Sequence, residues 1–172
     1  VAIWKGGMAF HGGAIGAALG GIYYCLKHKL SIVMAMDLLA IGVPPGLFFG
    51  RIANFINGEL YGRETNFAWG MVFPNAGPIA RHPSQLYEGF FEGFVLLAFL
   101  AICLRFYYAP GRLFSVFVIG YSIFRFLIEF TREPDHQLGL FFNLFSMGQL
   151  LSIVMVIVGV SWIYVTNKKL LS

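Results

Sequence analysis

The segment GYSIFRFLIEFTR places four side chains capable of chemistry at intervals of four, four and three residues: Tyr121, Arg125, Glu129 and Arg132. A helix would carry all four on one face. Ionisable groups within membrane segments are costly, roughly 2.5–3.5 kcal/mol at the bilayer centre on insertion scales, and usually mark functional sites. The structural alternative is that Arg125 and Glu129 form an i,i+4 pair that only neutralises itself, and one pair could serve both purposes.

A second polar group lies in GRIANFINGELYGR, residues 50–63, within an otherwise apolar chain. Arg51 and Arg63 carry planar guanidinium forks that can hold phosphate by two contacts. Asn54 and Asn57 can donate hydrogen bonds to phosphate or ester oxygens. Because buried polar groups need partners, this stretch should face other protein, a cavity or a bound headgroup. A re-entrant turn that satisfies its own polar groups is the alternative.

Two further acids, Glu88 and Glu92, repeat the i,i+4 spacing in SQLYEGFFEGF. Paired carboxylates can perform acid–base chemistry. The favoured interpretation is that they anchor arginines of neighbouring helices.

His11 precedes two glycines in FHGGAIGAALGG, which allow close packing or the approach of a headgroup. It has no second His or Cys at ligand spacing, so no metal is expected. HGG also occurs near hydrolase oxyanion holes, but no Gly-x-Ser-x-Gly accompanies it here.

The composition indicates an integral membrane protein. The 172 residues are 58% hydrophobic and 12% charged, with a mean hydropathy of +0.74, whereas soluble domains carry roughly 25% charged residues. The net charge of +4 suits cytoplasmic loops, and no basic, aromatic-interleaved patch supports nucleic-acid binding. Cys25 and Cys103 lie in apolar runs and are interpreted as packing residues.

The fold class predicted is all-α, a polytopic bundle with about five transmembrane helices, because a bilayer needs about 20 apolar residues per helix. The predicted spans are 10–26, 32–49, 84–104, 113–130 and 142–165. Pro44 and Pro45 should kink or end the second helix, and Ser84 or His82 should cap the third. Asp37 is expected to cap a helix or to extend toward the cytoplasmic surface.

Orientation follows from the basic residues in short loops. Six of them have no neighbouring acids and are placed in the cytoplasm: Lys27, Lys29, Arg105, Arg112, Lys168 and Lys169. The other face interleaves bases with acids: Arg51, Arg63, Arg81 and Arg132 with Glu59, Glu64, Glu133 and Asp135. Residues 51–83 are therefore predicted to form an extracytoplasmic segment, with the C-terminus inside.

The same residues resemble a known family, the bacterial prolipoprotein diacylglyceryl transferases. Their signature is Gly-Arg-x-(Gly/Ala)-Asn-Phe-x-Asn-x-Glu-x-x-Gly. Its fixed positions are met by Gly50, Arg51, Ala53, Asn54, Phe55, Asn57, Glu59 and Gly62. GGMAFHGG, RHPSQLYE, GYSIFRFLIEFTREPD and SMGQLLS resemble further family blocks, in family order. Ala9 departs from the Ser that is common in the family.

The resemblance implies an inner-membrane enzyme of about seven spans, of which residues 1–172 would form one catalytic domain without its N-terminal helices. It would transfer the diacylglyceryl group of phosphatidylglycerol to the lipobox cysteine of a prolipoprotein and release glycerol 1-phosphate. No metal or organic cofactor is implied. The implied partners are phosphatidylglycerol, the lipobox peptide and membrane lipids, with no nucleic acid and a monomeric state.

By family match, Arg51 and Arg125 would clamp the phosphate with help from Asn54, and Asn57 would contribute to substrate binding. His11 would assist thiol deprotonation, although an arginine-rich field could itself favour the thiolate. Tyr121 would orient the headgroup or help the proton leave. Four residues would shape and neutralise the site: Glu59, Gly62, Glu129 and Arg132.

The main alternative is a transporter or channel for an anionic lipid or solute, since intramembrane arginines also mark permeation paths. Such a protein should present polar residues in the cytoplasmic half of its helices, where the sequence offers little beyond Asp37. A pure scaffold would leave the polar outer face unexplained.

Overall fold

The computed structural model describes residues 10–133 and 146–171, and in these ranges the fold consists of five helices without a strand. They are α1 (Phe10–Lys27), α2 (Ile32–Ile56), α3 (Ser84–Phe106), α4 (Arg112–Ile128) and α5 (Met147–Leu171). The all-α prediction is therefore confirmed.

Three of these helices, α2, α3 and α5, are long and apolar enough to cross a membrane. The 17 residues of α4 match the lower limit of a spanning helix. The protein is thus a helical membrane protein, and the predicted spans correspond to the five helices, although their limits differ.

The largest difference is at the end of α2, which runs through Pro44 and Pro45 and continues to Ile56. Of the two outcomes predicted at the prolines, a kink or an end of the helix, the end does not occur there. Proline removes one helix hydrogen bond, but such a break is tolerated in membrane helices because neighbouring groups satisfy the freed carbonyl. As a result Arg51 and Asn54 project from a helix, and the irregular part of the signature begins only after Ile56.

The start of α3 at Ser84 agrees with the predicted span, but its expected side-chain cap is absent. Ser84 does not cap α3, because its hydroxyl donates to the Leu60 carbonyl oxygen at 3.1 Å. His82 does not cap it either, since Pro83 holds the N-cap position and makes no side-chain cap bond. The described part of α5 begins at Met147, whereas residues 142–145 of the predicted span lie outside the described ranges.

The core of the bundle lies where α2, α3 and α4 meet: Ala40, Leu96, Leu100, Cys103 and Leu113. A Cβ on Gly93 would lie 2.7 Å from the Phe48 Cβ, so this glycine allows α3 to approach α2 closely.

The packing role of Cys25 and Cys103 is confirmed, since both are buried. Among the described helices α1 packs only against α2. A Cβ added to its glycines 13, 16, 20 or 21 would meet nothing within 4 Å, so the expected tight packing is not seen there.

Asp37 caps a helix, as expected, but the helix belongs to a neighbour. Its Oδ2 accepts from the Gly111 N–H at 2.7 Å and its Oδ1 from the Phe114 N–H at 2.9 Å. These are orphan donors at the start of α4, and the positive end of a helix favours a carboxylate. The buried Asp37 thereby fixes the position of α4 along α2.

Residues 57–83 form an irregular segment that is fastened to the helix ends. The Gly62 N–H donates to the His82 carbonyl at 2.8 Å, and the Arg63 N–H donates to the Thr131 carbonyl at 2.9 Å. A Cβ on Gly62 would lie 2.3 Å from that Thr131 oxygen, so only glycine fits. The ends of α2 and α4 and the start of α3 are thus joined on one side of the bundle.

Candidate functional site: a cluster of arginines around a buried carboxylate

Glu88, in the first turns of α3, is the centre of the cluster. Its carboxylate is fully buried, and Arg51 Nε lies 2.7 Å from Oε2. Arg132 Nη1 donates to Oε1 at 2.6 Å, and Arg125 Nη1 lies 3.6 Å from the same oxygen. One carboxylate therefore gathers guanidinium groups from α2, from α4 and from the chain just after α4.

Glu129 provides the second anion. Its Oε2 lies 3.0 Å from Arg125 Nη2 and 3.5 Å from Arg132 Nε. The i,i+4 pair of Arg125 and Glu129 considered from the sequence is therefore present. Arg125 also contacts Glu88, so Glu129 is not its only partner.

The arginines and the carboxylates differ in exposure. The side chains of Arg51, Arg125 and Arg132 are 20%, 17% and 15% exposed, whereas Glu88 is fully buried. The arginine side chains are thus more accessible than the carboxylate that they surround. Fixed cations in a site of low dielectric attract an anion more strongly than they would in water.

Glu92 is the exception to the anchoring interpretation. It is fully buried, neither carboxylate oxygen has a hydrogen-bond partner within the described ranges, and no ion pair joins it to an arginine there. Residues 89–95 are π-helical, and in this wider turn a residue four positions on does not stack on the first as in an α-helix. Tyr121, one turn before Arg125 on α4, is half-buried and packs against the apolar core of the bundle.

The signature residues divide into two groups. Arg51 is in the cluster, and Asn54 follows it on the last turn of α2 with a half-buried side chain. Asn57 and Glu59 are exposed, and the Asn57 amide donates to the Glu59 carboxylate at 3.3 Å. These two side chains make no described contact with Glu88.

Arg63 and Arg81 connect the irregular segment of residues 57–83 to the chain just after α4. Arg63 Nε donates to the backbone oxygen of Arg132 at 2.6 Å, so it holds the chain that carries a cluster arginine. Arg81 pairs with Glu133 and with Glu64, the latter at 3.5 Å. Both therefore have structural partners of their own.

His11 lies in the first turn of α1. Its side chain falls outside the part of the chain that the structure describes.

The prediction that Glu88 anchors arginines of neighbouring helices is confirmed, whereas the contribution of Ser146 was not predicted from the sequence. Glu88 was interpreted as an anchor, but its three-way contact was not foreseen, because partners from three parts of the chain are invisible to local spacing. Ser146 donates its hydroxyl to Glu129 Oε1 at 2.8 Å. The signal that could have revealed it is the Ser-x-x-Gln capping pattern of Ser146 and Gln149.

Fold and site together define a class, a helical membrane protein with three arginines gathered around a buried carboxylate near one end of its bundle. The comparisons with known proteins place it more narrowly. The family model described as prolipoprotein diacylglyceryl transferase matches residues 1–165, and the chain belongs to that family.

Individual relatives agree with this membership. The chain is 53% identical over 165 residues to the phosphatidylglycerol–prolipoprotein diacylglyceryl transferase of Ehrlichia ruminantium (strain Welgevonden), covering 92% of this chain and 63% of that protein. It is 49% identical over 170 residues to the protein of the same name from Photobacterium profundum, covering 97% and 64%. The corresponding Geobacter sulfurreducens protein is 47% identical over 168 residues, covering 98% and 65%. The chain therefore spans less than two thirds of the length of these relatives.

Proposed function

We propose that the whole protein to which this chain belongs transfers the diacylglyceryl group of phosphatidylglycerol to the lipobox cysteine of a prolipoprotein. The observation that carries the proposal is that Arg51 and Arg125, from two different helices, both contact the buried Glu88. Because both guanidinium groups meet at this one carboxylate, they can grip one phosphate together. The printed names of the relatives give both substrates.

In the proposed reaction the cysteine sulfur attacks the glycerol carbon that bears the phosphate ester. A carbon–sulfur bond forms while the carbon–oxygen bond to phosphate breaks, and the electron pair leaves with glycerol 1-phosphate. The thiol proton passes to a base. Negative charge grows on the departing phosphate oxygen, so arginines fixed nearby lower the barrier.

The residue roles are part of the same proposal. Arg51 and Arg125 clamp the phosphate, and Asn54 donates to it. Tyr121, one turn before Arg125, orients the headgroup or helps the proton leave. His11 assists deprotonation of the thiol, whose ordinary pKa is near 8.5. The positions of the two arginines support the clamp most directly.

The remaining signature residues are assigned supporting roles. Asn57 and Glu59 border the substrate entrance, and Gly62 lets residues 57–83 close onto the end of α4. Glu129 and Arg132 shape the cluster and balance its charge. The expectations of no metal and no organic cofactor stay predictions.

We propose that the protein is a monomer in a bacterial inner membrane. The arginine cluster lies toward the extracytoplasmic side, and the C-terminus lies in the cytoplasm. A transport path is less favoured, because Asp37, in the other half of α2, is already engaged by two backbone N–H groups.

The test incubates the purified intact protein with isotope-labelled phosphatidylglycerol and a lipobox peptide. We expect the peptide cysteine to gain the mass of one diacylglyceryl group, and the Arg125→Ala variant to lose this activity while still inserting in the membrane. Arg105→Ala, in the last turn of α3 and away from the cluster, serves as the matched control and should retain transfer. Transfer by Arg125→Ala at the parental rate would refute the clamp.

A further inference from the structure

The start of α5 contains a capping box. Ser146 Oγ accepts from the Gln149 N–H at 3.2 Å, and Gln149 Oε1 accepts from the Ser146 N–H at 3.1 Å. This reciprocal pair satisfies two backbone donors that a helix start leaves unpaired. Capping alone would explain Ser146 as a purely structural residue.

The Ser146 hydroxyl also makes a second hydrogen bond, to Glu129. While its oxygen accepts from Gln149, its proton is donated to Glu129 Oε1 at 2.8 Å. A hydroxyl has one proton to donate, so this arrangement commits it to the Glu129 carboxylate. Both residues are buried, and hydrogen bonds to a charged acceptor are stronger than neutral ones.

Gly148 leaves the space that Glu129 occupies. A Cβ at this position would lie 2.8 Å from Glu129 Oε1, 2.9 Å from Cδ and 3.0 Å from Oε2. All three distances are too short for a side chain, so any other residue would displace the carboxylate. The backbone of α5 therefore sets the position of Glu129 while Ser146 sets its rotation.

The two carboxylate oxygens of Glu129 have different partners. Ser146 holds Oε1, and Oε2 faces Arg125 Nη2 at 3.0 Å and Arg132 Nε at 3.5 Å. Without the Ser146 hydroxyl, Oε1 is an unsatisfied acceptor that competes for the guanidinium groups. The carboxylate can then rotate and carry Arg125 with it.

We propose that Ser146 and Gly148 are positioning residues, which hold Glu129 so that it aims Arg125 at the phosphate of the lipid substrate. This inference rests on the proposed function, because the phosphate that Arg125 would contact belongs to the substrate of that reaction. Neither residue touches the reacting atoms in it. The Ser-Met-Gly-Gln sequence at 146–149 thus serves the arginine cluster as well as the helix start.

The test compares Ser146→Ala, Ser146→Thr and Gly148→Ala in the intact protein, with Thr166→Val as control. Thr166 is also a buried hydroxyl residue of α5, but its hydroxyl donates to the Trp162 carbonyl at 2.8 Å, within its own helix. Affinity for phosphatidylglycerol in nanodiscs and transfer to a lipobox peptide are measured separately, together with the unfolding temperature.

We expect Ser146→Ala to weaken phosphatidylglycerol binding about tenfold, the scale of one lost hydrogen bond to a charged group. Gly148→Ala should weaken it as well, because the added Cβ displaces the Glu129 carboxylate. Ser146→Thr, which keeps the hydroxyl, should recover most of the affinity. Thr166→Val should leave affinity unchanged even where its unfolding temperature falls as far.

Equal affinity losses in Ser146→Ala and Thr166→Val, or no recovery in Ser146→Thr, would overturn the positioning role. If the parental protein binds the lipid but transfers nothing, the transferase proposal fails. The lipid affinities of the variants would still test the positioning role of Ser146 and Gly148. A parental protein that does not bind phosphatidylglycerol would overturn both.

Discussion

Arg51 Nε lies 2.7 Å from Glu88 Oε2, and this contact joins the signature segment on α2 to the buried acid of α3. The guanidinium is therefore held in place before any lipid arrives. A charged group that is already oriented loses little free energy to reorganisation when the transition state forms. The contact also explains why a permanently charged residue is retained in an apolar helix, since a paired charge is far less costly there than a lone one.

Removing the charge of Glu88 should be the most damaging single change to the cluster. In Glu88→Gln, guanidinium groups gathered by one carboxylate lose their shared counter-charge. Breaking a buried ion pair by removing one partner costs about 3–5 kcal/mol. We expect a large fall in the unfolding temperature of the purified protein, together with loss of transfer.

Glu64→Gln is the matched control for that change. Glu64 pairs with Arg81 at 3.5 Å, but its side chain is 57% exposed, and surface pairs contribute about 0–1 kcal/mol. Similar unfolding temperatures for the two variants would show that Glu88 does not organise the arginines.

Arg51→Lys tests whether geometry matters beyond charge. Lysine keeps the positive charge but lacks the planar fork that can contact Glu88 and a phosphate together. We expect the rate of transfer to fall on the order of a hundredfold, a usual loss for one misplaced transition-state donor. Arg105→Lys, in the last turn of α3, should stay near the parental rate, and a parental rate in Arg51→Lys would mean that charge alone suffices.

Asp37→Asn tests the cap on α4. The amide can accept from only one of the two N–H groups that the carboxylate now satisfies, and it carries no charge to oppose the helix dipole. We expect a loss of about 1–2 kcal/mol in the free energy of unfolding.

Ser31→Ala removes a weaker cap, in which the exposed Ser31 hydroxyl accepts from the Met34 N–H at 3.4 Å. It should cost less than Asp37→Asn in the same unfolding experiment. The reverse order would contradict the assignment of Asp37 as the stronger cap.

Gly62→Ala should disrupt the junction between residues 57–83 and the end of α4. The added Cβ would lie 2.3 Å from the Thr131 carbonyl oxygen, and backbone atoms cannot yield as a flexible side chain can. We expect increased proteolysis within residues 57–83 and loss of transfer. Gly46→Ala, where nothing lies within 4 Å of the new Cβ, should leave both unchanged, and a protease-resistant Gly62→Ala would refute the tight junction.

His11→Gln examines the route of the thiol proton. If His11 serves only as a base, the variant should be slowest relative to the parent at low pH and should recover as pH rises through the ordinary thiol pKa near 8.5, where the thiolate forms unaided. The measurement is the ratio of transfer rates across pH. A constant ratio at every pH would assign His11 a structural role.

Sequence patterns predicted the helices well because long apolar runs between charged turns leave few alternatives in a membrane. They misplaced the end of α2, since the rule that proline ends a helix holds less strictly there. They placed Arg125, Glu129 and Arg132 on one face correctly, because that spacing is local. The junction of Arg51 with Glu88 and the link from Ser146 to Glu129 depend on how distant helices pack, and no local pattern specifies that.

The most direct test of the central claim is an experimental structure of the intact protein with phosphatidylglycerol bound. We expect nitrogens of both Arg51 and Arg125 to lie about 2.7–3.0 Å from oxygens of the same phosphate group, the usual length of a charge-assisted contact. A phosphate held by only one of these arginines, or bound away from the cluster, would contradict the account.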